Sequence, residues 1–237
     1  MLICNNLKIS FIILYCLLFP CTCLPEAVLL DPDIPDGEKI TYISNFEGKP
    51  ANIVEQVRIK TEYGRKIYEI TSRSEYEERI IRLSKDNLHV LYVHTIRKFP
   101  EGNIENEMRF IEKQDMDKSA NPSDEVKVAD FSVLRYMLRG FPFERQKALK
   151  LNTFGRQRET TYAINVKLIK KEKLKIGGKT SECYKLEIGI DGFWSGFIPK
   201  TYFWYSVEPP HYLVRLESWS VPGPSKRFIE ILEYGGK

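Results

Sequence analysis

Beyond residue 37 the chain alternates apolar and polar positions for most of its length. In "EKITYISNFEG" the residues Ile40, Tyr42 and Phe46 share one parity, the two-residue period of a strand with one buried face. "NIVEQVRIKTE" repeats the pattern with Ile53, Val57 and Ile59, and the turn at Gly64 leads into "IYEITSRS". "ERIIRLS" and "LHVLYVHTIRKF" follow, joined through Lys85-Asp86-Asn87. The Pro-Gly chemistry of Pro100 to Asn103 predicts a tight turn into "IENEMRFIEKQ". One stretch breaks the rhythm. In "DFSVLRYMLRGFPF" Leu134, Met137, Leu138 and Phe141 recur at helical spacing, with Asp130 or Ser132 as cap and Gly140 and Pro142 as stop. This predicts one short amphipathic helix packed on the sheet, with Arg135 and Arg139 on its other side.

Strands resume in "TTYAINVKLIKKEKLKI" and "SECYKLEIGID", joined at Gly177 to Lys179. Then comes the densest aromatic stretch, "YFWYSVEPPHYLVRLESW", and a last strand in "KRFIEILEY". About ten strands in successive hairpins, with no β–α alternation, predict a mainly β fold. The expected architecture is a single curved, mostly antiparallel sheet, open or closed like a barrel, with one short helix.

The segment before this domain differs in kind. Lys8 is the only charge before Glu26, and the mostly apolar run from Ile9 to Phe19 ends at Pro20. Residues 1–23 therefore read as a secretory signal peptide, too short in its apolar run for a spanning helix. Pro20 and Thr22 precede Cys21 and Cys23, where a lipobox wants a small residue, so lipidation is the lesser reading. Residues 24–37, with three prolines and four acids, read as a linker, and 38–237 as a single β-rich domain. Four of the five cysteines precede residue 24. The mature chain keeps only Cys183 and forms no internal disulfide.

The 237-residue chain carries 36 basic and 32 acidic side chains, a net charge of +4 spread along its length. That balance argues against a nucleic-acid binder. No phosphate loop, zinc-protease or nucleophile-elbow motif is present in the sequence, and nothing calls for a cofactor. His89 and His94 fall on opposite faces of one predicted strand, and His211 follows two prolines at an expected surface turn. A metal site is not expected. Cys183 reads as a buried structural thiol.

Two features are candidates for contact. Lys171, Lys173 and Lys175 share one face of their strand. They suit either anionic headgroups or glycan, or the protection of a sheet edge against aggregation. In the aromatic hairpin Tyr202 and Trp204 share one face and Phe203 and Tyr205 the other, so both faces are apolar. Arg215 and Glu217, with Trp219, lie on one parity of the returning strand. Tyr202, Phe203, Trp204, Tyr205, Arg215 and Trp219 are thus a candidate wall for an apolar ligand with a polar anchor, or equally a sheet core with an outer ion pair.

Three motifs carry a family resemblance. Gly37-Glu38 with Tyr42 forms a "GE-x-x-x-Y" opening. Asp130, Ser132 and Leu134 form a "D-x-S-x-L" helix entry running on to "LRGFPF". "IGGKTSECYKLEI" is followed by a Trp-containing strand and "VRLES". In these the chain resembles an exported bacterial family known as a domain of unknown function (number thirty-one-oh-eight). Glu208-Pro209-Pro210-His211 replaces that family's Asp-centred turn. The resemblance implies a periplasmic antiparallel sheet, similar in outline to the curved half-barrels of lipoprotein carriers, and implies no catalytic residues.

The expected function is therefore non-enzymatic. The first expectation is an exported envelope protein, periplasmic or associated with the outer membrane, that binds a lipid, another apolar small molecule or an envelope component. The second is a structural or assembly protein working through contacts with an envelope protein or the membrane surface. A glycan hydrolase is third, and would need close carboxylates around Glu208 or Glu217.

Overall fold

The computed structural model describes residues 29–46, 49–110, 127–128, 131–154, 161–191, 198–219 and 226–235. The expected signal segment and Asp130 lie outside them. Thirteen strands form one sheet: β1 (Lys39–Phe46), β2 (Lys49–Glu62), β3 (Arg65–Arg73), β4 (Glu77–Ser84), β5 (Val90–Phe99), β6 (Gly102–Arg109), β7 (Lys127–Val128), β8 (Ala148–Phe154), β9 (Thr161–Ile176), β10 (Lys179–Ile190), β11 (Thr201–Ser206), β12 (Leu213–Trp219) and β13 (Lys226–Gly235). The helix α1 (Phe131–Met137) continues as a single 3-10 turn, Leu138–Gly140.

The strand order is β6-β5-β4-β3-β2-β1-β13-β12-β11-β10-β9-β8-β7. Two meanders, β1 to β6 and β8 to β13, meet at the antiparallel pair of β1 with β13. Every pairing is antiparallel except the short parallel contact of β7 with β8. Among the described residues β6 and β7 do not pair, so the sheet is open. This is the expected fold class, with more strands than the periodicity predicts. β7 is only two residues long, and the β8 alternation of Leu149 and Leu151 is brief.

Inward residues of both meanders join one core. Ile40, Val57, Ile70, Ile81 and Val93 come from one half, Ile164, Leu186, Phe203, Tyr205 and Leu213 from the other. Between them lie Val133, Leu134, Met137 and Leu138, so the sheet curls around α1 and buries it.

Two expectations need correction. The described part of the predicted linker, residues 29–37, is packed into the domain: Leu29 and Ile34 are in the core. Leu30 N–H donates to the Gly140 carbonyl at 2.8 Å, and Gly37 N–H to that of Val57 at 3.0 Å. Lys85 bridges Asp31, Asp33 and the Tyr68 hydroxyl. Gly140 is what lets this strap approach, since a Cβ there would stand 2.1 Å from the Leu30 oxygen. The second correction concerns α1. Arg135 on it and Arg139 on the 3-10 turn after it do not face water; they are 7% and 3% exposed.

Candidate functional site

Arg135 of α1 and Arg139 of the 3-10 turn are buried because each meets a carboxylate, Glu55 on the inner face of β2 and Glu38 at the entrance to β1. Arg139 forms a two-pronged pair with Glu38, at 2.7 and 3.0 Å, and its Nε donates to the Pro210 carbonyl at 3.0 Å. Arg135 pairs with Glu55 on β2, and Tyr136 donates to the same carboxylate at 2.6 Å. Arg135 Nε is buried without a partner among the described residues. Burial opposes the charge of Arg135, but Glu55 and the surrounding tyrosines outweigh it and hold the group above its ordinary pKa. Arg139 is raised likewise, its burial overcome by Glu38. Burial pushes the Tyr42 phenol far up, with Glu55 adding to it. Removing one partner from such a pair strands a charge in the core, which costs about 3–5 kcal/mol. These pairs fasten α1 to β1 and β2.

The aromatic strand β11 is covered on both sides, by different things. Phe203 and Tyr205 are fully buried in the main core, and the Tyr205 hydroxyl donates to the Arg135 carbonyl at 2.7 Å. Trp204 belongs to a second cluster on the outer face with Cys183 and Val214, against which Tyr202, Leu174, Ile176 and Ile231 pack. Trp204 Nε1 donates to Glu172 at 2.7 Å, and Lys185 lies over the Tyr202 and Trp204 rings at 4.5 and 4.7 Å.

Arg215 joins this outer face, paired with Glu217 and, at 3.3 Å, with Glu230. Leu213 does not share its face as simple alternation predicts. A register shift between Trp204 and Tyr205 leaves Val214 without a Cα partner on β11 and turns Leu213 inward. Trp219 ends β12 opposite Lys226, and its side chain lies outside the described residues. The five candidates whose side chains are described are thus divided between two faces rather than gathered round one space.

His211 is another correction. It is half-buried, its ring 4.8 Å edge-on from Phe143 and 6.1 Å from Tyr184. Nδ1–H donates to the Ser206 carbonyl at 2.9 Å. Burial lowers its pKa, Arg139 acts in the same direction, and Ser206 and Glu144 oppose it. Burial raises the Cys183 thiol to about 12, as Glu172 and Glu182 also do, and the side chain is buried against Trp204 and Val214.

The lysine candidates stand on a projecting arm. β8 pairs with β9 only over Thr161 to Lys167, and β11 with β10 only over Cys183 to Ile188. Among the described residues, 169–176 therefore extend past β8 and 179–181 past β11 as a two-stranded ribbon, with the Glu182 carbonyl still accepting from Val207 N–H at 3.0 Å. One face of this arm, Leu174 and Ile176, covers the outer cluster and brings β9 into contact with β13. The opposite face carries Lys171, Lys173 and Lys175 across from Tyr184, Glu182 and Thr180. Lys171 is engaged, 3.3 Å from Glu144 and 4.7 Å above the Tyr184 ring. Lys173, Lys175 and Lys179 are exposed and have no partner among the described residues.

No family model matches the chain, and no curated protein matches it, so the resemblance drawn from motifs rests on those motifs alone. Among solved structures the chain is similar to a candidate exported protein with a YmcC-like fold from Bacteroides fragilis, at 14% identity, covering 89% of this chain and 100% of that one, with a TM-score of 0.37. It is similar to a beta-barrel-like protein of domain of unknown function 1849 from Brucella abortus, at 9% identity over 84% and 97%, with a TM-score of 0.41. The hypothetical lipoprotein YmcC from Escherichia coli shows 9% identity over 86% and 92%, with a TM-score of 0.35. At these TM-scores the likenesses are of outline, and the site is read from its own residues.

Proposed function

We propose that the chain is a non-enzymatic exported envelope protein that docks on an anionic envelope surface through the β9–β10 arm. The observation carrying this is the arm itself. From residue 169 to 182 it holds Lys170, Lys171, Lys173, Lys175 and Lys179 against Glu172 and Glu182. Lys173, Lys175 and Lys179 are unengaged among the described residues. Export is read from the apolar signal-like start of the sequence. A lysine near an anionic bilayer contributes about 1 kcal/mol, so three give roughly a hundredfold in affinity. The apolar-ligand version is less favoured, because the inner face is occupied by α1 and a guest there would have to break its buried ion pairs.

The test is vesicle flotation of the mature protein. Binding is expected to anionic phospholipid vesicles and not to phosphatidylcholine alone, to weaken with added salt, and to fall by roughly a hundredfold in Lys173→Gln/Lys175→Gln/Lys179→Gln. Unchanged binding by that variant, with an unchanged circular dichroism spectrum, would overturn the proposal. Native mass spectrometry showing a co-purifying acyl compound would return the site to the inner face.

A further inference from the structure

On the outer face of the sheet, away from the arm's lysine face, lies a second feature that neither the core nor the arm explains. Asn165 and Lys167 on β9 stand opposite Gly189 and Glu187 on β10. Leu186 and Ile188 point into the core, so these four residues occupy the corners of one outward-facing square. Its sides are roughly 7 Å along the strands and about 5 Å across them. At the Gly189 corner there is no side chain, and the gap opens a hollow of about 250 Å³ lined by Asn165, Lys167, Glu187, Gly189, Asp191 and Lys200, with Ile190 its one large apolar neighbour.

The Lys200 side chain folds from the entry of β11 over this empty corner. Its ammonium stands 2.7 Å from where a Cβ on Gly189 would be. Neither Lys200 nor Lys167 has a hydrogen-bond or ion-pair partner among the described residues. Asp191 is held by Lys150 at 2.6 Å. Glu187 accepts only a long hydrogen bond, 3.4 Å, from the Tyr202 hydroxyl, and keeps most of its acceptor capacity. Setting aside the Lys150–Asp191 pair, the hollow presents two ammoniums and one carboxylate, a net charge of one positive unit.

We propose that this hollow binds a small phosphate ester that also carries a primary ammonium, of the phosphoethanolamine class. The phosphate lies between Lys167 and Lys200, and the ligand ammonium turns toward Glu187. A phosphate monoester bears close to two negative charges at neutral pH, and one ammonium leaves a ligand of about minus one, complementary to the site. The polar lining excludes an acyl chain, and a carboxylate zwitterion would leave one lysine unmatched. This inference is independent of docking through the arm.

The test is titration of the purified protein with phosphoethanolamine, followed by the amide resonances of Gly189 and Asn165. Saturable binding is expected, at least tenfold tighter than for inorganic phosphate or ethanolamine. Gly189→Ala places a methyl group in the hollow and displaces only the flexible end of Lys200. It is expected to weaken binding at least tenfold without lowering Tm, and Lys200→Met to do the same. Glu187→Gln is expected to erase the preference for phosphoethanolamine over inorganic phosphate. Glycerophosphoethanolamine separates the sources: binding as tight as the monoester assigns a lipid headgroup, and much weaker binding assigns a free phosphate monoester. Absence of saturable binding, or binding indifferent to Gly189→Ala and Lys200→Met, would overturn the proposal. Equal affinity for inorganic phosphate would overturn its zwitterionic part.

Discussion

The two faces of β11 carry the same kind of residue and serve opposite ends. Inward, Phe203 and Tyr205 are sealed by the chain's own helix, with Tyr205 hydrogen-bonded to the α1 backbone. Outward, Trp204 and Tyr202 are covered by the tip of a neighbouring hairpin and by lysine and arginine side chains. Aromatic density in a strand thus reports that both faces are covered, and not what covers them. The inner cover is fixed by buried ion pairs; the outer one is made of half-exposed side chains at the border of water.

Substitutions can break that contrast, and the largest effects belong inside. Phe203→Ala is expected to lose about 3–5 kcal/mol in urea unfolding, by loss of burial and the cavity left behind. Arg139→Met is expected to lose a similar amount by stranding Glu38, which is fully buried beneath it. The double change Arg139→Met/Glu38→Met should recover most of that loss, and a double variant no more stable than the single one would show that the pair is not the source. Gly140→Ala comes next, at about 1–3 kcal/mol, since its methyl group meets the Leu30 carbonyl and the strap must move.

On the outer face Tyr202→Ala is expected to cost only about 1 kcal/mol. A Tyr202→Ala loss equal to that of Phe203→Ala would erase the distinction. The smallest effect is pH-dependent. The folded-state pKa of His211 is depressed by burial, so its contribution to stability is full above the unfolded value of about 6.5 and is lost as pH falls below it. Replacing His211 with Gln should flatten the decline of Tm between pH 7 and 5, and an unaltered slope would remove His211 as its cause.

Parity alone made much of this fold legible. It located about ten of the strands in outline, and helical spacing located the helix in "DFSVLRYMLRGFPF", because each has a side facing a single core. It also held an unread signal. Glu38 shares parity with Ile40 and Tyr42, and Glu55 with Ile53 and Val57, so two carboxylates stand in rows of core residues. Charge in an apolar row asks for a buried counter-charge, and the two arginines spaced four apart on the helix supply it. Their partners are 80 and 101 residues away in the chain, which is why no local window pairs them.

Other features depend on register, which alternation does not encode. The shift between Trp204 and Tyr205 reverses the face of Leu213. The bend of the β9–β10 arm over Val214 decides what the lysines face. The hollow at Gly189 needs a glycine, two lysines from different elements and a carboxylate to share one side of the sheet, and only the pairing of β9 with β10 reveals that they do.

The meeting of β1 with β13 sets the order in which the molecule can be assembled. Each meander is made of neighbours in sequence, and most of its hairpins can close locally and early. The seam between the two halves joins Lys39 to Gly235 and Asn45 to Phe228, so it waits for β13, about 190 residues after β1, to be present. Until then each half shows a bare central edge, and Glu38, at the entrance to β1, has no sealed core in which to meet Arg139. Closure of that seam completes the sheet across its middle, and the chain becomes one cooperative unit at its last strand.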